Sequence, residues 1–138
     1  MKYYSRGVLM WSGKGNKTPL RNKELRKAVR EWYDGKFGVR EYYGNISTWN
    51  VSECTEMSEL FKNMKEFNDD ISQWDVSNVT AMQQMFQNAA KFNQDVSRWD
   101  VSKVKNRRQM FSGAKAFNKD YIMHWAKPPK KGTQPMNG

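Results

Sequence analysis

The chain has 138 residues, 38% of them hydrophobic and 28% charged, with a net charge of +10 and a pI near 9.8. That length suits one domain with a core of its own. One cysteine excludes an internal disulfide, and one histidine leaves too few ligands for a zinc site and no evident partner for a His-dependent catalytic device.

Charge is distributed in blocks. Residues 1–45 hold eleven Lys/Arg and four Asp/Glu, a net +7. Residues 46–95 hold three and eight, a net −5, and residues 96–138 hold ten and two, a net +8. Basic ends around an acidic middle favour an acidic partner: a protein face, nucleic acid or anionic lipid. The plainer alternative is a solvated, solubilising surface.

Met1 to Lys17 carries Tyr3, Tyr4, Val8, Leu9 and Trp11, which suit an extended arm until Gly13 and Gly15 break it. The apolar run Gly7 to Trp11 is too short for the core of a signal peptide, and no stretch is long enough to span a bilayer. Thr18 to Asp34 reads as a helix. Asn22 suits its N-cap, Glu24 its first turn, and Leu25, Ala28, Val29 and Trp32 share one apolar face. Lys23, Arg26, Lys27 and Arg30 line the other face, and Gly35 stops it. Its expected role is to cap the open end of the repeats that begin at Ile46. Lys36 to Asn45, with Tyr42 and Tyr43, links the helix to them.

From Ile46 to Asp120 one 25-residue phrase is written three times without a gap: Ile46 to Asp70, Ile71 to Asp95, and Val96 to Asp120. Trp49, Trp74 and Trp99 share a column, as do Phe61, Phe86 and Phe111, and Phe67, Phe92 and Phe117. A single phrase offers about six large apolar side chains, each worth roughly 1.5–3 kcal/mol when buried. Ordering its backbone costs roughly 1–2 kcal/mol per residue. Copies must therefore stack to bury both faces. Trp74-Asp75-Val76 alternates like a short strand, and Val79, Met82, Phe86 and Ala89 recur at helical spacing after Ser77, Asn78 and Thr80. Asn93 and Asp95 suit a closing turn. The expectation is an α/β repeat: a short solenoid of three strand–helix–turn units with an N-terminal capping helix, divided as 1–45, 46–120 and 121–138.

The phrase W-D-V-S-x-V-T-x-M-x-x-M-F followed by F-N-x-D-[IV]-S resembles the repeat of the BspA-like leucine-rich-repeat surface proteins of mycoplasmas and other bacteria, with similar repeats in algae and large DNA viruses. The second copy matches throughout. The first has Cys54 and Leu60 where the second has Val79 and Met85, and the third has Lys105-Asn106-Arg107-Arg108 in place of Thr80-Ala81-Met82-Gln83. The resemblance implies modules for binding or assembly and brings no catalytic residue or cofactor. With no signal peptide seen, the expected place is inside the cell or within a multi-protein particle, of which the viral repeats suggest a virion. It also implies a helix ahead of the array.

After Asp120 the phrase fails: His124 stands where a tryptophan is due and Trp125 comes one residue late. Tyr121, Ile122 and Trp125 are expected to close the last phrase ahead of a basic tail. Other columns carry competing readings. Cys54 occupies a valine column, as a small core residue or a reactive thiol. Asp70, Asp95 and Asp120 cap turns or hold calcium. The tryptophans are core or a stacking platform. Four Asn-x-Ser/Thr triplets, at Asn16, Asn45, Asn50 and Asn78, read as caps and turns or as glycosylation acceptors. No phosphate-binding or dinucleotide motif is present, so an enzyme is not expected. The leading expectation is a non-enzymatic scaffold that binds a protein with an acidic surface through Lys103, Lys105, Arg107, Arg108, Lys127, Lys130 and Lys131. A basic nucleic-acid-binding module is the alternative. Arg107 fills a column otherwise held by Met57 and Met82, where a charge needs a partner.

Overall fold

The computed structural model describes residues 18–125. The expected arm at Met1 to Lys17 and the expected tail beyond Trp125 lie outside them. The described elements are α1 (Asn22–Tyr33), α2 (Val39–Tyr43) and two 3-10 turns, Ile46–Thr48 and Lys119–Ile122.

α1 lies within the expected Thr18 to Asp34 but is shorter, and its N-cap falls one residue before the expected Asn22. Arg21, in extended conformation, is the N-cap, and its N–H donates to Glu24 Oε1 at 3.2 Å. Asn22 is the first helical residue, and its side chain is used elsewhere. Leu25, Ala28, Val29 and Trp32 are all buried, as one apolar face requires. Gly35, at φ 69°, supplies the left-handed residue that lets the chain leave the helix.

The three phrases contain neither the expected strand nor the expected helix. Among the described residues there is no strand, only two isolated parallel bridges, Glu56 to Ala81 and Ala81 to Asn106. Between Trp49 and Asn118 the chain runs as successive turns. In the second phrase, N–H groups of Trp74, Val79, Met85, Gln87, Ala89 and Phe92 each reach the carbonyl three residues back, at 3.0–3.2 Å.

The α/β solenoid of strand–helix–turn units is therefore incorrect, and the description as a leucine-rich-like solenoid falls with it. The physical reason lies in where the remaining N–H groups go. Those of Met57, Glu59, Phe61 and Asn63 donate sideways to Ala81, Gln83, Met85 and Gln87 carbonyls at 2.8–3.0 Å. Those of Met82, Gln84, Phe86 and Asn88 donate to Asn106, Arg108, Met110 and Ser112 at 2.8–2.9 Å. A helix would turn each donor back on its own chain. Two left-handed columns prevent that: Glu59, Gln84 and Gln109 at φ 55–59°, and Asn63, Asn88 and Gly113 at φ 61–79°. The three-and-four spacing that suggests a helix is met by turns, which bury Val79, Met82, Met85, Phe86 and Ala89.

Phrase lies on phrase through aromatic columns. Phe61, Phe86 and Phe111 stack at 5.3 and 5.4 Å with rings 4° apart. Phe67, Phe92 and Phe117 stack at 5.8 and 5.9 Å. The tryptophan column is core. Trp74 and Trp99 donate their indole N–H to Ile46 and Ile71 carbonyls in the preceding phrase, at 2.8 and 3.1 Å. Trp125 takes the next place: it stacks on Trp99 at 6.5 Å and donates to the Val96 carbonyl at 3.3 Å. The 3-10 turn Lys119–Ile122 precedes it and takes up the extra residue.

A basic end on the third phrase

The N-terminal side of the first phrase is covered. Leu20 N–H donates to the Asn50 carbonyl at 2.9 Å, and the Cys54 thiol donates to the Leu20 carbonyl at 2.9 Å. Trp32 Nε1 donates to Asp69 at 2.8 Å, and Glu66 N–H donates to the Tyr33 hydroxyl at 3.2 Å. Burial pushes the Cys54 thiol up to about 11, so it stays protonated as a core side chain.

Asp70 and Asp95 act as turn caps. Each accepts the N–H of the serine two residues on, at 2.9 Å. Hydrogen bonding from the serine side chain first and this N–H second holds both carboxyls below the usual range. Asp75 and Asp100 do the same for Ser77 and Ser102. The third member of the expected column, Asp120, instead donates its own N–H to Asn118 Oδ1 at 3.0 Å.

The ion pairs of the described residues lie early in the chain. Arg21 pairs with Glu53, Arg26 with Glu56, Lys27 and Lys36 with Glu31, Lys62 with Glu59, and Lys91 with Glu66. The cations of the third phrase have no acid at ion-pair distance among the described residues. Lys103 Nζ donates to Asn78 Oδ1 at 3.0 Å. Lys105 is exposed, and its main-chain N–H donates to the Thr80 carbonyl at 2.8 Å. Arg108 is exposed, and its N–H donates to Asn106 Oδ1 at 3.1 Å.

Arg107 does not behave as its column predicts. Met57 and Met82 are fully buried, whereas Arg107 is half-buried with its guanidinium 5.1 Å from the Trp125 ring centre. Partial burial pushes it down from the ordinary arginine value, and the aromatic face supplies the electrostatic contact that a buried cation needs. The third phrase thus replaces a core methionine with a cation seated on the closing tryptophan. Sequence reasoning placed Trp125 as a closing residue but did not connect it with Arg107. The signal was the coincidence of a charged residue in a core column with a displaced aromatic one phrase later.

Lys103, Lys105, Arg107 and Arg108 all lie on the third phrase, with Lys103 reaching back to Asn78 and Arg107 lying over Trp125. Lys127, Lys130 and Lys131, the other expected contact residues, lie outside the described residues. His124 Nε2 lies 3.1 Å from the Ser97 carbonyl. No helix among the described residues is long and apolar enough to cross a membrane.

Stacked 25-residue turns with a covered first face and a basic last one define a non-helical repeat protein. The chain belongs to the Mycoplasma protein family of unknown function DUF285, which matches residues 28–136. Comparisons with curated proteins and with solved structures found no match.

Proposed function

We propose that the chain is a non-enzymatic interaction module that contributes a basic surface to a larger protein assembly. One observation carries this reading: the third-phrase cations have no acid at ion-pair distance among the described residues, while Arg21, Arg26, Lys27, Lys36, Lys62 and Lys91 earlier in the chain do. Concentrated, uncompensated charge steers an acidic partner and speeds its association. The finer kinship, with the BspA-like repeat itself, is part of the same proposal. Its support is the phrase W-D-V-S-x-V-T-x-M-x-x-M-F, complete in Trp74 to Phe86.

The test is recovery of the native assembly with a tagged full-length chain carrying Lys105→Glu and Arg108→Glu. Both residues are exposed, so the fold is expected to change by no more than about 0.5 kcal/mol. Loss of partner recovery with an unchanged melt supports the module. Recovery at the wild-type level returns these residues to a solvated face. The same cations fit the phosphates of a nucleic acid. Steeply salt-dependent binding to generic DNA or RNA would favour that second reading.

A further inference from the structure

The third phrase ends the described stack with a row of donors. In the second phrase, N–H groups of Met82, Gln84, Phe86 and Asn88 point along the stack into carbonyls of the third. The third phrase repeats the backbone that aims them. Gln109 and Gly113 have φ of 55° and 79°, against 58° and 61° at Gln84 and Asn88. Its turns match as well: Met110 N–H to Arg107 carbonyl, Ser112 to Gln109, and Ala114 to Phe111, at 2.9–3.2 Å. The N–H groups of Arg107, Gln109, Phe111 and Gly113 therefore point onward, and no carbonyl among the described residues accepts them. The aromatic column is also less covered there: Phe117 is 7% exposed where Phe92 is 0%.

Resting on the reading as an interaction module, we infer that this edge docks an acidic phrase of the same kind from a partner protein, by the backbone pairing that joins the chain's own phrases. Two features select the occupant. The edge follows a path of turns, so a segment with the same turns meets all four donors in register, as phrase meets phrase within the chain. Lys103, Lys105, Arg107 and Arg108 beside it favour acidic side chains.

Other occupants fit less well. The chain's own residues after Trp125 hold Lys127, Lys130 and Lys131 and no acid, so like charge opposes them. A second copy offers an acidic first phrase, but α1 and Leu20–Asn22 cover it. A nucleic acid matches the charge without a peptide carbonyl row.

The chain's own acidic phrase supplies the probe: a synthetic peptide covering Glu53 to Phe67, with Val for Cys54. Amide exchange of the full-length protein is read by NMR. Without peptide, the Arg107, Gln109, Phe111 and Gly113 amides are expected to exchange at least a hundredfold faster than those of Gln84, Phe86 and Asn88. Saturating peptide is expected to slow them at least tenfold. The same peptide with its four Glu changed to Lys is expected to leave them unchanged.

Three results overturn the inference: amides already protected in the free protein, peptide binding without protection, or equal protection by single-stranded DNA. The outcome is separable from that of the module reading. If Lys105→Glu with Arg108→Glu abolishes assembly while the amides stay unprotected by peptide, the module stands and backbone docking fails. If assembly ignores both changes, the module reading itself fails.

Discussion

Asn22 Oδ1 accepts the Thr55 main-chain N–H at 3.0 Å, where a preceding phrase would have placed a carbonyl. The next two members of that column, Thr80 and Lys105, donate to the Thr55 and Thr80 carbonyls at 2.8 Å. A side-chain amide at the start of α1 thus substitutes for the backbone of a missing repeat. It also donates through Nδ2 to the Thr55 hydroxyl at 3.1 Å. This contact places the first turn of α1 over the first phrase.

Asn22→Ala is expected to destabilise the chain by about 1 kcal/mol, the scale of a partly exposed hydrogen bond. Asn22→Asp keeps the acceptor and is expected to recover most of the loss. Urea denaturation of the three proteins checks the order wild type, Asp, Ala. Equal midpoints for Ala and wild type would show that the contact contributes nothing.

Trp74 is 3% exposed and bonds the Ile46 carbonyl. Trp74→Ala is expected to cost roughly 3–5 kcal/mol, from lost burial and the cavity left behind. Trp74→Phe keeps most of the ring area but leaves the Ile46 carbonyl without its indole donor, so an intermediate loss is expected. Thermal melts of both variants decide whether the column is core.

Gly113 stands at φ 79°, where a Cβ would meet Asn88 Oδ1 at 2.2 Å. Gly113→Ala combines a left-handed alanine with that collision, at a cost of about 1–2 kcal/mol. The Asn88 side chain is the atom group that must move. Adding Asn88→Gly should therefore restore the collision part and leave the backbone part. A double-mutant cycle in urea measures the coupling between the two positions, and strict additivity would show that they do not interact.

Cys54 gives a pH prediction. Its thiol is pushed up to about 11 in the fold, above the ordinary thiol value expected of the unfolded chain. The folded state therefore holds its proton longer. The resulting stabilisation is complete below the unfolded value and is lost as pH rises toward about 11. Cys54→Val, which matches Val79 and Val104 of its column, lacks the effect. The stability difference between wild type and variant should shift against wild type between pH 9 and 11. A difference independent of pH in that window would contradict the burial argument.

The repeat itself was legible in the sequence because its columns are chemical. Three tryptophans, six phenylalanines and their valines must all be buried, and one phrase cannot bury them alone. The apolar face of α1 was legible for the same reason: Leu25, Ala28, Val29 and Trp32 lie on one side at any helical geometry close to 3.6 residues per turn.

Only the tertiary structure decided what the backbone does inside a phrase. Apolar residues at spacings of three and four face inward equally from a helix and from consecutive turns. The choice between them rests on whether alternate N–H groups find a neighbour's carbonyl. That neighbour is a whole phrase away, so no window within one phrase contains it. Asn63, Asn88 and Gly113 were the local clue, since asparagine and glycine are the residues that accept the left-handed conformation most readily. The charge of the third phrase was written in the sequence, but its setting was not. The seat of Arg107 on Trp125, and the direction of the donors at Gln109 and Gly113, exist only once the phrases are laid one on another.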